Sequence, residues 1–305
     1  MIDWHIELTS KCTLECPLCD RTWFYNTFKK RLIHEINVEQ LINFLGRNQS
    51  ITFCGNNGDP IYHSKFIEVC RKLKSNNTII NITTNGSSKT QKWWGELTKV
   101  LNKNDIINFS IDGLEDTNHI YRKNAKWNSI MDGVKIVAKS NVPMCWKFIP
   151  FKHNQHQINE AKKLSKQLGF NKFEIEYSDR FPNEEAKNNL MPDKKNVDNR
   201  FLHREKILSN NNYVHTIKPK CLKNNEPAVR LYIDAEGYFY PCCYMGSYRY
   251  KFKSMFSPKD GNFNIKKYSI KDILNNVRVK DFFKTTKDFK SAHECCKIQC
   301  GVIND

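Results

Sequence analysis

Alternation of short apolar runs with segments of helical spacing is the feature that most constrains how this chain can fold. Six strand-like runs occupy residues 2–8, 51–54, 78–83, 106–111, 142–149 and 172–177. Between them, apolar residues recur three and four positions apart, as in residues 38–45, 66–73, 129–138 and 158–168. This alternation predicts a parallel sheet covered by helices, and right-handed crossovers would curl six such strands into part of a barrel.

The remainder of the chain predicts a second, smaller unit. Residues 179–220 are rich in Asn, Lys, Asp and Pro, so we expect a linker or flexible cover there. Residues 229–233 and 238–240 flank an Ala-Glu-Gly turn and predict a β-hairpin. We therefore predict an α/β protein with a partial (β/α)6 TIM-like barrel in residues 1–178, a linker or cover in 179–220 and a small β-hairpin/helix cysteine-rich domain in 221–305.

Composition fits a globular protein but says little about its partners. The chain is 39% hydrophobic and 27% charged, values typical of proteins with a buried core. It has no run of about 18 apolar residues and no signal-peptide pattern, so we expect a cytoplasmic protein without a membrane span. The 49 Lys and Arg against 32 Asp and Glu give a charge of +17, which favours an anionic partner such as nucleic acid. No RNA-recognition motif or basic block supports that partner further.

Twelve cysteines carry most of the functional information. Clustered cysteines in a reducing compartment hold metal more often than they form disulfides. Cys12, Cys16 and Cys19 form a C-x3-C-x2-C array after the first predicted strand, which suits an iron–sulfur cluster with one iron left open. A structural zinc site that takes a fourth ligand from elsewhere is the alternative. Three other cysteines lie in apolar segments and are expected to pack as small hydrophobes: Cys54, Cys70 and Cys145.

This array and three downstream segments resemble the radical S-adenosylmethionine (SAM) superfamily. Residues 53–60 follow the second strand and are similar to the family's glycine-rich GGEP motif, with Asp59 in place of Glu and Asn57 in place of a Gly. Residues 83–86 resemble its TNG turn, and residues 110–113 with the later Arg122 resemble its S-x-D-G…R pattern. The four segments occur in the family's order, each at the end of a predicted strand.

The resemblance implies cofactors and the residues that bind them. SAM and a [4Fe–4S] cluster would be bound together, with the cluster on Cys12, Cys16 and Cys19. In the family, the glycine-rich backbone binds the amino group of the SAM methionine, and the Ser and Arg reach the ribose or carboxylate. The residues expected at SAM are thus Gly58, Asp59, Asn85, Ser110, Asp112 and Arg122. The resemblance identifies no further catalytic residue.

The last third of the chain resembles the SPASM and Twitch extensions of that superfamily. Cys221 is followed after fifteen residues by Gly237 and after four more by Cys242, similar to the opening of those extensions. Too few cysteines follow for two auxiliary clusters, so the resemblance implies one auxiliary [4Fe–4S] cluster. We expect its ligands to be Cys221, Cys242, Cys296 and Cys300, with the adjacent Cys243 and Cys295 almost equally eligible. A zinc knuckle built from the same cysteines is the alternative.

The activity that the resemblance implies is a radical oxidation or modification. The enzyme would take an electron from a reductant such as flavodoxin or ferredoxin, cleave SAM to a 5′-deoxyadenosyl radical, and abstract hydrogen from a peptide or small metabolite. A first strand that begins at residue 2 leaves no N-terminal leader-binding domain, which weakens the peptide alternative. Modification of RNA or a nucleotide-linked anionic substrate is a second alternative. A non-enzymatic iron–sulfur or zinc binding protein is the third.

Overall fold

The computed structural model describes residues 2–208, 214–227, 229–247, 256–257 and 263–304, so parts of the predicted segments 179–220 and 221–305 lie outside the described residues. The strands are β1 Asp3–Ile6, β2 Ser50–Phe53, β3 Ile79–Thr84, β4 Ile106–Ser110, β5 Met144–Phe148, β6 Lys172–Ile175, β7 Val214–Ile217, β8 Leu222–Lys223, β9 Glu226–Pro227, β10 Leu231–Ile233, β11 Phe239–Tyr240 and β12 Gly301–Asn304. The α-helices are α1 Asp20–Phe28, α2 Val38–Leu45, α3 Phe66–Ser75, α4 Gln91–Val100, α5 Asn118–Tyr121, α6 Trp127–Ala138, α7 Ile158–Gln167, α8 Glu184–Leu190, α9 Asn199–Leu208, α10 Ile270–Asn275, α11 Val277–Thr285 and α12 Glu294–Cys300.

Six consecutive parallel strands confirm the predicted α/β partial barrel. β1 to β6 lie side by side in chain order, and each pairs in parallel with the next. Their outward residues pack against helices, because alternate side chains of a strand point to opposite faces. Trp4 meets Phe44 of α2 at 5.5 Å between ring centroids, and Phe109 meets Trp94 of α4 at 5.4 Å. These contacts place the main core between the sheet and its helices.

The opposite side of the sheet, here called the inner face, is polar. Its residues alternate with the outward ones along the strands and include His5, Thr52, Asn81, Asn108, Lys147 and Glu174. Closed barrels of this type usually fill that side with branched aliphatic residues. The polar composition is therefore that of a surface that contacts water or a polar ligand rather than a second core.

The C-terminal hairpin extends the same sheet, which the sequence did not predict. β10 pairs in parallel with β1, placing Tyr232 opposite His5, and β11 pairs antiparallel with β10. The sheet therefore has eight strands in the order β11-β10-β1-β2-β3-β4-β5-β6. The smaller unit is consequently joined to the barrel by backbone hydrogen bonds as well as by the chain.

Capping residues explain two further differences from the sequence-based expectation. Residues 179–220 contain α8 and α9, and Asn183 begins α8 by accepting a hydrogen bond from the Ala186 backbone. The helix predicted from residue 270 to about 283 is divided at Asn276, whose side chain accepts from Arg278 N and begins α11. Among the described residues, no helix is both long enough and apolar enough to cross a membrane.

Candidate functional site

Four loops at the carboxyl ends of β1 to β4 bring the sequence motifs together. They comprise residues 12–19, 55–60, 83–86 and 110–113, and are called the motif loops below. Because neighbouring parallel strands end at the same edge of a sheet, loops that are distant in sequence become neighbours in space. This placement agrees with the position in which the sequence motifs were expected.

The cysteine loop contacts two of the other motif loops. Asn85 Nδ2 donates to Cys12 Sγ at 3.6 Å, and Cys19 Sγ donates to Asn56 O at 3.7 Å. Cys19 also precedes α1 as its N-cap and donates its backbone N–H to Cys16 O at 3.1 Å. The three thiols are therefore presented on one short loop between the second and third motif segments.

The chemistry of these thiols fits a metal cluster. Burial raises the pKa of Cys12 to about 12 and that of Cys16 to about 11, so both carry a proton at neutral pH until a metal displaces it. No group of three or more His, Cys, Asp or Glu side chains within the described ranges could hold a single metal ion. The thiolates of a [4Fe–4S] cluster bind different irons, so its ligands need not converge on one point.

Asp59 joins the glycine-rich loop to the turn after β3. Its buried carboxylate accepts hydrogen bonds from Thr84 Oγ1 at 2.9 Å and 3.0 Å, and from the backbone N and Nδ2 of Asn85 at 2.7 Å and 2.5 Å. Burial raises the pKa of Asp59 to about 6, although these donors oppose the shift. The structure thus brings the predicted residues Asp59 and Asn85 into direct contact, with the Asp59 carboxylate occupied by protein donors.

Asp112 and Arg122 form a buried ion pair beside the cysteine loop. Arg122 Nε lies 2.6 Å from Asp112 Oδ2, and Asp112 Oδ1 accepts from Ile149 N at 2.7 Å. The positive charge of Arg122 also faces Cys16, where it partly offsets the effect of burial on the pKa of that thiol. Ser110 lies on the neighbouring strand end, opposite Lys147 in the sheet register, and Gly58 lies against Glu7.

Glu7 is a buried residue of this site that the sequence analysis missed. Its Oε1 accepts from Asn57 N at 2.6 Å and Gly58 N at 2.9 Å, and its Oε2 accepts from Asn57 Nδ2 at 3.3 Å and Tyr232 OH at 2.8 Å. Burial raises the pKa of Glu7 to about 7. The available signal was a lone acid between Ile6 and Leu8 in an otherwise apolar strand end.

The glycine-rich loop also carries an unused acceptor. Asn57 is only 7% exposed, and no described residue donates a hydrogen bond to its Oδ1. A buried acceptor without a donor is costly, so such an atom commonly marks the place of a water, ion or ligand. The loop that resembles the SAM-binding segment therefore has hydrogen-bonding capacity that the described protein atoms do not satisfy.

Six C-terminal cysteines, called the auxiliary cysteines below, influence one another electrostatically: Cys221, Cys242, Cys243, Cys295, Cys296 and Cys300. Burial raises the pKa of Cys221 to about 12, with further contributions from the nearby Cys242 and Cys300. Burial also raises the pKa of Cys296, with further contributions from Cys221, Cys242 and Cys300. The charged groups that influence Cys243 include Cys242, Cys54 and Arg180, and a hydrogen bond from Cys295 lowers the pKa of Cys242.

The auxiliary region touches the motif loops through long-range hydrogen bonds. Asn56 Nδ2 donates to Cys243 O at 2.8 Å, and Ser247 Oγ donates to Asp20 Oδ2 at 2.6 Å. Asp20 directly follows the last cysteine of the first array. The two cysteine-rich parts of the chain are therefore in contact.

The inner face below the motif loops carries charged groups. Lys147 pairs with Glu176, and both charges influence the thiol of Cys54, whose pKa burial raises to about 11. The expectation that Cys54 packs among apolar residues is thus wrong, because Cys54 directly follows β2 and lies near charged groups of this polar side. Cys70, in contrast, is buried in the main core as expected.

Comparisons with known proteins agree with this architecture. Residues 6–163, a little over half of the chain, match the radical SAM superfamily, and residues 221–301 match the SPASM iron–sulfur cluster-binding domain. A tungsten-containing aldehyde ferredoxin oxidoreductase cofactor-modifying protein of Pyrococcus furiosus is 25% identical over 124 residues, which cover 38% of this chain. That match spans only 32% of the relative's own length.

Solved structures show the same fold at low identity. Streptococcus suis SuiB bound to S-adenosylmethionine is 12% identical with a TM-score of 0.62, over 93% of this chain and 68% of SuiB. SuiB bound to its precursor peptide SuiA gives a TM-score of 0.63 at 12% identity, over 97% of this chain and 70% of SuiB. The superfamily match carries the family assignment, and it brings with it SAM, a [4Fe–4S] cluster and, through the SPASM domain, an auxiliary cluster. This chain belongs to the radical SAM superfamily.

Proposed function

We propose that this protein cleaves SAM reductively and uses the resulting radical to remove a hydrogen atom from a polar substrate bound at the inner face. The observation that carries the proposal is the meeting of all four motif loops at one edge of the sheet. Internal bonds between these loops, including Asp59 to Asn85 and Arg122 to Asp112, hold them together. The site is therefore organised by protein contacts around the place where both cofactors would bind.

The residues of this chain have distinct roles in the proposed site. Cys12, Cys16 and Cys19 hold the [4Fe–4S] cluster, and the nearby positive charge of Arg122 stabilises the thiolate of Cys16. SAM lies against the motif loops at Gly58, Asn85, Ser110 and the Asp112–Arg122 pair. Asp59 acts by shaping this surface, since its carboxylate is already hydrogen-bonded to Thr84 and Asn85.

The bound cofactors supply the difficult chemistry, and the protein orients them and excludes water. The chemistry they supply is one-electron cleavage of SAM to methionine and a 5′-deoxyadenosyl radical, which becomes 5′-deoxyadenosine by taking a hydrogen atom from the substrate. A small electron carrier such as flavodoxin or ferredoxin provides the electron.

The auxiliary cluster is proposed on Cys221, Cys242, Cys296 and Cys300. Besides burial, Cys242 and Cys300 each influence the pKa of both Cys221 and Cys296, which supports the choice. Cys243 is influenced instead by Cys242, Cys54 and Arg180. We place this unit in residues 221–305, joined to the SAM-binding unit in residues 1–178 by segment 179–220.

The substrate is proposed to be a polar peptide or metabolite with a charged group. The inner face presents Lys147 and Glu176, whose mutual ion pair can be exchanged for contacts to a carboxylate or an ammonium group. Lys147 is 21% exposed and Glu176 48% exposed, so both are accessible from solvent. SuiB, which shares the fold, was solved with a precursor peptide, which keeps a peptide among the substrates to test.

Anaerobic reconstitution followed by an assay of SAM cleavage tests the proposal. With dithionite as reductant, we expect about eight irons per chain and release of 5′-deoxyadenosine. The Cys16→Ala variant serves as the control that should release none. Bound zinc without SAM cleavage would contradict the enzyme assignment and leave a metal-stabilised binding protein.

A further inference from the structure

We infer that Glu7 is a positioning residue for SAM: its carboxylate holds the glycine-rich loop in its binding shape, and Tyr232 ties that carboxylate to the C-terminal hairpin. The inference rests on the proposed function, because it takes residues 55–60 as part of the SAM site. Glu7 acts through the loop, so its effect is expected on SAM affinity rather than on the cleavage step.

The hydrogen bonds of Glu7 fix the loop in three places. Two consecutive backbone N–H groups, from Asn57 and Gly58, donate to the same carboxylate oxygen at 2.6 Å and 2.9 Å. The Asn57 side chain donates to the other oxygen at 3.3 Å. Since the amide nitrogen of Asn57 faces Glu7, its Oδ1 is turned away and is the acceptor that no described residue satisfies. Glu7 therefore determines both the peptide orientation and the side-chain orientation of this loop.

Two glycines allow the loop to come this close to β1. A Cβ added at Gly55 would lie 2.6 Å from Glu7 Oε1, and one at Gly58 would lie 1.8 Å from Thr9 O. Either side chain would push the loop away from the carboxylate. The hydrogen bonds from the loop to Glu7 therefore require that residues 55 and 58 be glycines, because any side chain there would keep the loop too far from the carboxylate.

The C-terminal hairpin, formed by β10 and β11, also binds Glu7. Tyr232 OH donates to Glu7 Oε2 at 2.8 Å, and its ring packs edge-on against His5 with centroids 5.2 Å apart. Glu7 N donates to Ile233 O at 2.9 Å, which continues the pairing of β1 with β10. The SAM loop is therefore connected to the hairpin that leads to Cys242 through a single carboxylate.

Equilibrium binding of SAM to the anaerobically reconstituted protein tests this role. In Glu7→Gln, an amide nitrogen takes the place of the oxygen that accepts from Asn57 Nδ2 and Tyr232 OH. The Tyr232 hydroxyl can turn to accept from it, but Asn57 Nδ2 loses its acceptor. We expect SAM to bind about tenfold more weakly, with the rate of SAM cleavage at saturating SAM within about twofold of wild type. Tyr232→Phe keeps the loop contacts and should weaken binding by about threefold.

Asp105→Asn is the matched control. Asp105 is a buried carboxylate at the opposite end of the sheet, and it accepts from Lys74 Nζ, Ile80 N and Asn102 N, each at 2.8 Å. Its replacement should lower thermal stability as Glu7→Gln does but leave SAM affinity unchanged. The SAM-induced change in the electron paramagnetic resonance spectrum of the reduced cluster provides a second readout.

The outcomes separate this inference from the proposed function. If wild type binds no SAM, the proposed function fails and this inference fails with it. If wild type binds SAM and both Glu7→Gln and Tyr232→Phe bind it equally well, the role of Glu7 is structural only and the inference is wrong. If Glu7→Gln does not load iron, weaker binding in Tyr232→Phe supports the inference and unchanged binding there overturns it.

Discussion

The motif loops and the auxiliary cysteines are organised in different ways. Buried carboxylates hold the motif loops together, since Glu7, Asp59 and Asp112 each accept several hydrogen bonds from other segments. The auxiliary cysteines instead influence mainly one another, since, besides burial, Cys242 and Cys300 raise the pKa of both Cys221 and Cys296. From this difference we expect the motif loops to keep their shape without metal and the auxiliary cysteines to depend on metal for more of their cohesion.

Replacing a ligand in the first array should have the largest effect. Cys16→Ala is expected to reduce 5′-deoxyadenosine formation by more than about a hundredfold, because the cluster loses one of three thiolates. The loop itself should keep its fold, which circular dichroism and thermal unfolding would check. Cys70→Ala, in the main core, is the control and should retain SAM cleavage. Cleavage by Cys16→Ala at the wild-type rate would rule out this cluster assignment.

Replacing Cys242 and Cys243 one at a time tests which of the two binds the auxiliary cluster. Cys242→Ala should lose about four irons per chain, whereas its neighbour Cys243→Ala should retain them, because it is Cys242 that influences the proposed ligands Cys221 and Cys296. Iron and sulfide analysis of both proteins measures this. The reverse result would exchange the two assignments.

Breaking the buried ion pair tests how firmly the motif loops are held. Asp112→Asn leaves Arg122, whose side chain is only 16% exposed, without its counter-charge, which should destabilise the protein by about 3 kcal/mol. The exposed pair between Glu96 and Lys99 is the control, and Glu96→Gln should change stability by less than about 0.5 kcal/mol. Urea unfolding of the three proteins measures the difference. Equal midpoints would mean that the buried pair does not support the motif loops.

A pH series should show a smaller, graded effect of Glu7. Its pKa is raised to about 7 in the folded protein from an ordinary value of 4.5. Between these values the folded state binds a proton that the unfolded state does not, so this group's stabilisation is lost as the pH rises toward 7. The wild-type melting temperature should therefore fall more steeply with pH across that window than that of Glu7→Gln. The titratable groups that interact with Glu7 are Tyr232, Asp234 and Cys54, and they are unchanged in the variant. Parallel curves would show that Glu7 does not titrate in this range.

Much of the barrel could be predicted because its signals are local. Strand β4 was expected at residues 106–111 and lies at Ile106–Ser110, and helix α2 was expected at 38–45 and lies at Val38–Leu45. The spacing of apolar residues predicts such elements directly, because the buried side of each helix or strand follows from its own sequence. Segment 179–220 was harder, because its helices are short and polar and are marked mainly by caps such as Asn183.

The sequence by itself determined the order of strands β1 to β6 and the placement of the motifs at one edge, because parallel topology sends every strand's carboxyl end the same way. Only the tertiary structure decided which distant residues meet. The pairing of β10 with β1, the bond from Tyr232 to Glu7 across 225 positions and the contact of Cys242 with Cys295 all depend on it. Local patterns describe which face of a segment is buried, but the partner of a buried polar group depends on packing between segments that no periodicity records.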